Sequence, residues 1–153
     1  MELFSHLHPM VIHFPVALLA LYSVLEIVNI FKPSDYLDKS VNIILILGVV
    51  ALVSGVLTGN MEKQSAELIM KNSDKTIQSA IEDHEDMANF TVWYFTALVF
   101  SRLYFSIKKK MTKKFKILFA IFSITGFVLI FTTADYGGKL VYKFGVGTEI
   151  FQK

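Results

Sequence analysis

The chain of 153 residues contains no cysteine and few charged residues. Without cysteine, disulfides, thiolate metal sites and cysteine-ligated iron–sulfur clusters are excluded. Charged residues make up 18% of the chain, against about a quarter in an average soluble domain, and 54% of the residues are hydrophobic. A net charge of +2 is too small to indicate nucleic-acid binding. The composition therefore favours an integral membrane protein without a separate soluble domain.

Sequence motifs of the common enzyme classes are also missing. The chain has no glycine-rich phosphate-binding loop and no nucleophile elbow. His84-Glu85 lacks the second histidine, four residues after the first, that completes an HExxH metalloprotease motif. The absence of these motifs disfavours a hydrolase or a kinase and favours a non-enzymatic subunit.

The apolar residues are gathered into four runs of about 20 residues, the length that crosses a hydrocarbon core of roughly 30 Å. We predict an all-α, integral membrane four-helix bundle with up-down-up-down topology, formed by one transmembrane domain over residues 1–153. The predicted spans are residues 9–31, 41–59, 87–107 and 115–134.

Two predicted segments lie outside the membrane on one side. Residues 60–86 carry apolar residues at loosely helical spacing, which predicts a surface amphipathic helix with a break at Asn72-Ser73-Asp74. Asp135-Tyr136-Gly137-Gly138 is expected to end span four, and residues 135–153 to form a tail.

Proline and glycine predict local features of the first two spans. Pro15 should leave the carbonyl of Val11 without a partner and bend span one close to His13. Span two carries small residues at three- and four-residue spacing, which lets a neighbouring helix approach closely. These residues are Gly48, Ala51, Gly55 and Gly59.

Glu26 and Arg102 are expected at similar depth, near the same end of their spans. An intramembrane ion pair between them would fix the helix register. Alternatively, the Arg102 side chain extends to the interface. Either role is structural.

The orientation follows from the lysine distribution. The loop between spans three and four contains six lysines, and the loop between spans one and two adds Lys32 and Lys39. Because short cytoplasmic loops are enriched in Lys and Arg, these loops should be cytoplasmic and both termini outside. The six are Lys108, Lys109, Lys110, Lys113, Lys114 and Lys116.

Three histidines are expected at the outer face, where an ionisable group at membrane depth indicates a functional site. His8 and His13 open span one, and His84 opens span three. Spans one and three are expected to lie diagonally across the bundle, so that His13 and His84 face each other. Two facing imidazoles with a gap between them are typical of a bis-histidine b-type haem.

Small residues beside these histidines leave room for a flat macrocycle, although they are equally compatible with close helix packing. They are Ala17, Ala20, Gly55, Gly59, Ala88 and Thr91. His8 and His13 are five residues apart and point about 140° away from each other on a regular helix. One of them is then a ligand and the other a supporting group, with His8 as the substitute ligand. His6 is expected to be a bystander.

Other chemistries remain open at the sequence level. His8, His13 and His84, with Glu85 or Asp135, form a candidate site for a transition-metal ion without haem. The carboxylates around His84 are also explained as a solvated helix start. A cofactor-free subunit that assembles a membrane complex is a third possibility. A transporter is disfavoured because the spans contain no acidic pair at mid-membrane.

Two motifs resemble the signatures of a bacterial membrane-protein family, domain of unknown function 2231. They are His8-Pro9-Met10-Val11-Ile12-His13-Phe14-Pro15 and Gly137-Gly138-Lys139-Leu140-Val141-Tyr142-Lys143-Phe144-Gly145-Val146-Gly147. The resemblance covers nearly the whole chain. It implies a four-helix protein of the bacterial inner membrane, and fusions of relatives to Rieske-type redox domains favour electron transfer. Relatives carry a histidine where this chain has Phe144, which removes one imidazole from any haem or metal site.

The sequence thus predicts a small b-type cytochrome-like subunit that holds haem near the periplasmic face by His13 and His84, with His8 in support. Its expected partners are the lipid bilayer, a quinol, a periplasmic electron carrier or the other subunits of a larger membrane complex. Nucleic acid is not expected.

Overall fold

The computed structural model of the chain describes residues 7–69 and 75–146. Within these two ranges the backbone forms five α-helices and no strand. Helices α2 to α5 are long and apolar enough to cross a membrane. The predicted all-α membrane bundle of four helices is confirmed. The helices are α1 (Leu7–Val11), α2 (His13–Phe31), α3 (Asp35–Ile69), α4 (Lys75–Ile107) and α5 (Lys113–Phe144).

The four long helices pack as a ring. Helices α2 and α4 each pack against both α3 and α5, which places α2 and α4 diagonally, as predicted. The short helix α1 packs against α3 and α2. We name the end of the bundle that carries His8 and His84 the histidine end, and the end that carries residues 32–34 and 108–112 the lysine end.

Large apolar side chains lie both inside and outside the bundle, as lipid surroundings allow. The core contains Leu19, Tyr22, Val41, Leu45, Leu52, Phe95, Leu98, Phe119 and Ile130. Many others are exposed on the outer surface and include Val24, Ile43, Val50, Phe100, Ile121 and Val128. An exposed apolar surface on all four helices is what a bundle surrounded by hydrocarbon requires.

Helices α3 and α4 extend well beyond the predicted spans. With 35 residues, α3 is roughly 50 Å long at 1.5 Å per residue, which exceeds a hydrocarbon core of about 30 Å. Residues 60–69 continue α3 and residues 75–86 begin α4, instead of forming a separate surface helix. The two helices support each other there through an ion pair between Lys63 Nζ and Glu85 Oε2 at 2.6 Å. The break predicted at residues 72–74 lies outside the described residues.

Helix α5 also runs further than predicted and includes Gly137 and Gly138. A glycine inside a helix costs only about 1 kcal/mol relative to alanine, which tertiary packing outweighs. The helix ends at Gly145, whose φ of 71° is in the left-handed region. The amide of Val146 donates to the carbonyl of Leu140 at 3.0 Å, which closes the helix with a Schellman-type bond.

The first span is interrupted at Ile12, between α1 and α2. This position adjoins Val11, whose carbonyl cannot receive a hydrogen bond from Pro15 because proline has no amide hydrogen. Ile12 keeps right-handed helical angles (φ −65°, ψ −19°), and its amide donates to the His8 carbonyl at 3.1 Å. The interruption is therefore a local loss of one hydrogen bond, and the backbone at Ile12 itself remains helical.

A buried ionic network fixes the lysine end. Arg102 Nε donates to Glu26 Oε2 at 2.8 Å, and both residues are completely buried. This confirms the predicted ion pair and excludes extension of Arg102 to the interface. Lys116 Nζ donates to Asp38 Oδ2 at 2.7 Å, and Arg102 also donates to the Asn42 side-chain oxygen. Helices α2, α3, α4 and α5 each contribute a charged or amide group.

Candidate functional site

A cavity of about 180 Å³ lies at the histidine end, among all four long helices and beside α1. We name it the histidine cavity. Its lining is mostly apolar, with the imidazoles of His8 and His84 among the few polar groups. Small residues from α3, α4 and α5 provide the space. They are Gly55, Gly59, Ala88, Ala134 and Gly137.

His8 reaches the cavity from α1 and is held by α3. Its Nδ1 lies 3.1 Å from Thr58 Oγ1. The Thr58 hydroxyl can donate its single proton to the backbone carbonyl of Ser54 or Gly55, at 3.1 and 2.9 Å. When that proton lies on a backbone carbonyl, Thr58 Oγ1 accepts from His8 Nδ1–H and the ring lone pair is on Nε2; in the other tautomer, Thr58 donates to Nδ1. Such a partner on one ring nitrogen is how proteins orient a histidine whose other nitrogen binds a metal.

His84 reaches the cavity from α4. Its Nδ1 is buried and has no hydrogen-bond partner among the described residues. A buried polar atom without a partner is rare and calls for an explanation, such as a bound group. The hydroxyl of Thr133, which also lines the cavity, bonds to the hydroxyl of Thr91 at 2.8 Å. They are therefore engaged with each other rather than available to the imidazole.

Two glycines leave space for the two imidazole rings. A Cβ atom at Gly59 would lie 3.0 Å from Cε1 of His8, and a Cβ atom at Gly137 would lie 3.1 Å from Cε1 of His84. Both distances are shorter than ordinary carbon–carbon contact, which is about 3.5–4.0 Å. Each ring therefore occupies the space that a larger residue at the glycine would fill.

The surroundings of His8 favour a neutral imidazole. Burial lowers the pKa of His8, and the nearby His84 ring lowers it further, although the Gly55 carbonyl partly opposes both effects. A neutral imidazole keeps one lone pair, which is the form that binds a metal ion or accepts a hydrogen bond. The cavity is thus suited to a ligand that takes a lone pair from imidazole.

The structure does not bring His13 and His84 together, although the sequence predicts that they face each other. His13 is exposed on the outside of the bundle and does not line the cavity, whereas His8, the predicted substitute, does. The helical backbone at Ile12 preserves the angle of about 140° that separates residues five positions apart. Only one of the two histidines can then face the interior.

The carboxylates proposed as metal ligands are engaged elsewhere. Glu85 lies at the cavity edge but pairs with Lys63. Asp135 is exposed and pairs with Lys139 Nζ at 2.6 Å. In the two described ranges, no group of three or more histidine or acidic side chains is placed to hold a metal ion. The structure does not assemble the five-residue metal set.

Sequence reasoning missed Thr58 and the specific role of Gly137. Thr58 lies one helical turn after Ser54 and directly before Gly59 of the small-residue stripe, a spacing that indicates a shared face with Ser54 but no partner. The sequence predicts that the segment with Gly137 ends the helix, whereas in the structure this glycine leaves room for the His84 ring. Its place in the glycine-rich C-terminal motif is a signal of close contact. Leu140, Val141 and Val146 of this motif line the cavity, whereas Phe144 is absent from the lining.

Fold and site together define a four-helix membrane bundle with a histidine-lined cavity at one end. The chain belongs to the family described as "Predicted membrane protein (DUF2231)", which it matches over residues 5–150. This confirms the resemblance seen in the two motifs at the family level. No curated protein and no solved structure matches the chain.

Proposed function

We propose that this protein is a small membrane electron-transfer subunit in which His8 and His84 would hold a b-type haem at the histidine cavity. The observation that supports it best is that two imidazoles from non-adjacent segments line one apolar cavity. The proposal keeps the predicted cofactor and replaces His13 by His8.

The donor set fits haem better than a bare metal ion. Protein zinc sites use three or four protein ligands, whereas a haem iron needs only two axial ligands because the porphyrin supplies the rest. The unpartnered Nδ1 of His84 and the presence of the His8 imidazole in the same cavity lining are consistent with a group bound by both rings. Neither acidic residue near the site is free to add a ligand, since Glu85 and Asp135 are ion-paired.

The chain's own residues would orient the cofactor and control its environment. Thr58 fixes the ring of His8, and the glycine at position 137 leaves room for the ring of His84. The apolar lining excludes water and so influences the redox potential. The haem would supply one-electron oxidation and reduction, and its partner would be a quinol, a periplasmic electron carrier or another subunit of a membrane complex.

We further propose that the protein lies in a bacterial inner membrane with the lysine end in the cytoplasm. The support is the positive-inside rule applied to the short loops at residues 32–34 and 108–112. The histidine cavity would then open towards the periplasm, on the same side as both termini.

The size of the cavity favours a second candidate ligand. About 180 Å³ is below the roughly 300–1,000 Å³ of typical small-molecule sites. A porphyrin would therefore need the surrounding helices to separate, or would project from the cavity. The single ring of a quinol head group needs less space, and its hydroxyl groups could donate to the two imidazoles. In that case the protein would bind quinol directly in the cavity.

Titration of the purified, detergent-solubilised protein with haemin tests the leading proposal. We expect a low-spin spectrum with two axial imidazoles for the unmodified protein. His8→Ala and His84→Ala should each weaken haemin binding at least tenfold or change the spectrum to one axial ligand. His13→Ala is the matched control, because its imidazole is exposed and outside the cavity. Circular dichroism checks that all four proteins remain helical.

The same four proteins separate the alternatives. If haemin binds equally to all of them, or to none, the haem proposal is wrong. A short-chain quinol that shifts the NMR signals of His8 and His84, with no haemin binding, selects the second candidate. Stoichiometric metal without porphyrin, lost on His84→Ala, selects the metal site. If no ligand binds and the variants only impair complex assembly, the subunit is cofactor-free.

A further inference from the structure

Five lysines form a collar between α4 and α5 at the lysine end. All five side chains are exposed, and none forms an ion pair with any residue in the described parts of the chain. We name this group the lysine collar. Its members are Lys108, Lys109, Lys110, Lys113 and Lys114.

The described residues provide almost no counter-charge for the collar. From residue 87 to residue 134 the sequence contains no Asp or Glu. Of the acidic residues at the lysine end, Glu26 is bound to Arg102, and Asp38 is bound to Lys116. Only Asp35 remains exposed at this end without an ion pair among the described residues. The positive charge of the collar is therefore left for a partner outside the chain.

Lys116 is a buried lysine of the same cluster, so exposure distinguishes the five collar lysines from it. Lys116 lies only two residues after Lys114, yet it is 7% exposed and directed into the bundle towards Asp38 and Asn29. The collar lysines instead point away from the bundle. Lys116 thus links α5 to α2 and α3 through Asn29 and Asp38. The five collar lysines form no ion pair among the described residues.

The backbone of the collar is a tight, ordered turn. The amide of Lys110 donates to the Phe105 carbonyl at 2.9 Å, and Lys109 has a φ of 52°, in the left-handed region that non-glycine residues seldom adopt. The rings of Phe105 and Phe115 pack with centroids 4.2 Å apart beneath this turn. The turn therefore places five exposed lysines within residues 108–114 at the end of the bundle.

Exposed apolar and aromatic side chains place the collar at the level of the lipid head groups. Ile107 is 76% exposed and Phe31 is 77% exposed, and both adjoin a lysine. Tyr36 and Tyr104 are also exposed at this end, where aromatic residues mark the membrane–water interface. Lysine side chains beside such residues extend to the head groups with their methylene stems along the hydrocarbon.

We propose that the lysine collar binds the phosphate groups of anionic phospholipids. Clustered lysines next to a transmembrane helix attract anionic lipids within about a Debye length of the membrane surface. The membrane level of the collar favours a lipid over a nucleic acid, although both carry phosphodiesters. Lipid binding here would anchor the α4–α5 turn at a fixed depth, independently of any ligand in the histidine cavity.

The test uses the full chain in detergent micelles, where membrane orientation plays no part. Thermal unfolding is followed with added phosphatidylglycerol or phosphatidylcholine. The main variant carries Lys→Gln at the five collar positions, and the control carries Lys75→Gln and Lys143→Gln, two exposed lysines at the other end. We expect phosphatidylglycerol to raise the midpoint by several degrees in the unmodified protein and in the control, but not in the collar variant.

A salt series on the unmodified protein provides a result that needs no variant. At about 1 M salt, where charges are screened beyond roughly 3 Å, the difference between the two lipids should disappear. An equal effect of both lipids, or a full effect in the collar variant, would overturn the proposal. Tighter binding of a short RNA than of phosphatidylglycerol micelles would also overturn it.

Discussion

Gly137 and Gly138 are adjacent residues of the same helix with different surroundings. A Cβ at Gly137 would meet the His84 ring at 3.1 Å, whereas a Cβ at Gly138 would meet only Tyr142 Cδ2 at 4.0 Å. Both changes to alanine gain up to about 1 kcal/mol in helix propensity. We expect Gly138→Ala to stabilise the protein without altering the site. Gly137→Ala should displace the His84 ring.

NMR chemical shifts of the His84 imidazole, together with unfolding in denaturant, measure both effects. Gly138→Ala is the matched control for Gly137→Ala. Identical His84 shifts in the two variants would contradict the assigned role of Gly137.

Arg102 is a completely buried charge, and its removal should lower the free energy of unfolding. Arg102→Leu leaves Glu26 as a carboxylate without its guanidinium partner inside the bundle. Removing one member of a buried ion pair costs about 3–5 kcal/mol, so we expect a loss of that size in the free energy of unfolding. The double variant Glu26→Leu/Arg102→Leu should lose less, because no unpaired carboxylate remains. Equilibrium unfolding in mixed micelles measures these differences.

Lys139→Gln is the control for the Arg102 series. It removes an exposed i,i+4 pair with Asp135, in which both side chains are more than half exposed. Exposed helix pairs contribute only about 0.3–0.5 kcal/mol. If this variant lost as much stability as Arg102→Leu, the argument from burial would be wrong.

At the scale of the helix, the stripe of small residues on α3 is an interface with α1 and α2. A Cβ at Gly48 would lie 2.5 Å from Leu19 Cδ2, while one at Gly55 would lie 3.8 Å from Ile12 Cγ2. Gly48→Ala should therefore force α2 and α3 apart, and overpacking of this kind costs about 1–3 kcal/mol. Gly55→Ala makes only ordinary contact and should be neutral or slightly stabilising.

Thermal midpoints of the two glycine variants in one detergent provide the comparison. A Gly48→Ala protein as stable as Gly55→Ala would show that α2 and α3 do not approach as closely as described. Helical content by circular dichroism should be the same in both.

Sequence periodicity predicted the helices but not which face of each helix is buried. Apolar residues occur all round the spans, because lipid and core are both apolar. The polar residues carry the missing information. On α2 the buried positions include Ser23, Glu26 and Asn29, at the three-residue spacing of one helix face. On α4, the polar residues Thr91 and Arg102 are likewise among the buried positions and mark the buried face.

At the scale of the whole molecule, the two ends differ in charge and in chemistry. The lysine end carries the collar with Lys32 and Lys39, and the histidine end carries the cavity. Because the chain has no native cysteine, single cysteines report the orientation without background. In intact cells, Lys75→Cys should react with an impermeant maleimide and Lys109→Cys should not. The reverse pattern would contradict the proposed orientation.

The membrane architecture could be predicted because hydrocarbon thickness sets the length of an apolar run. The Glu26–Arg102 pair could be predicted because each charge lies deep in an apolar span. The roles of Asp38 and Lys116 could not, since each lies among similar charged residues at a loop and only the folded bundle separates them. The depth of His13 in span one predicts a partner for His84, but the rotation of the helix about its axis, which an all-round apolar span does not reveal, directs His8 rather than His13 into the bundle.

The central claim is that His8 and His84 together hold a redox-active haem. A reduced-minus-oxidised absorption spectrum of the full chain, purified from cells supplied with a haem precursor, tests it most directly. We predict the sharp visible bands of a low-spin b-type haem, retained in His13→Ala and lost or shifted in His8→Ala and His84→Ala. A protein that is folded and colourless under these conditions, or one whose bands survive in both cavity variants, would contradict the claim.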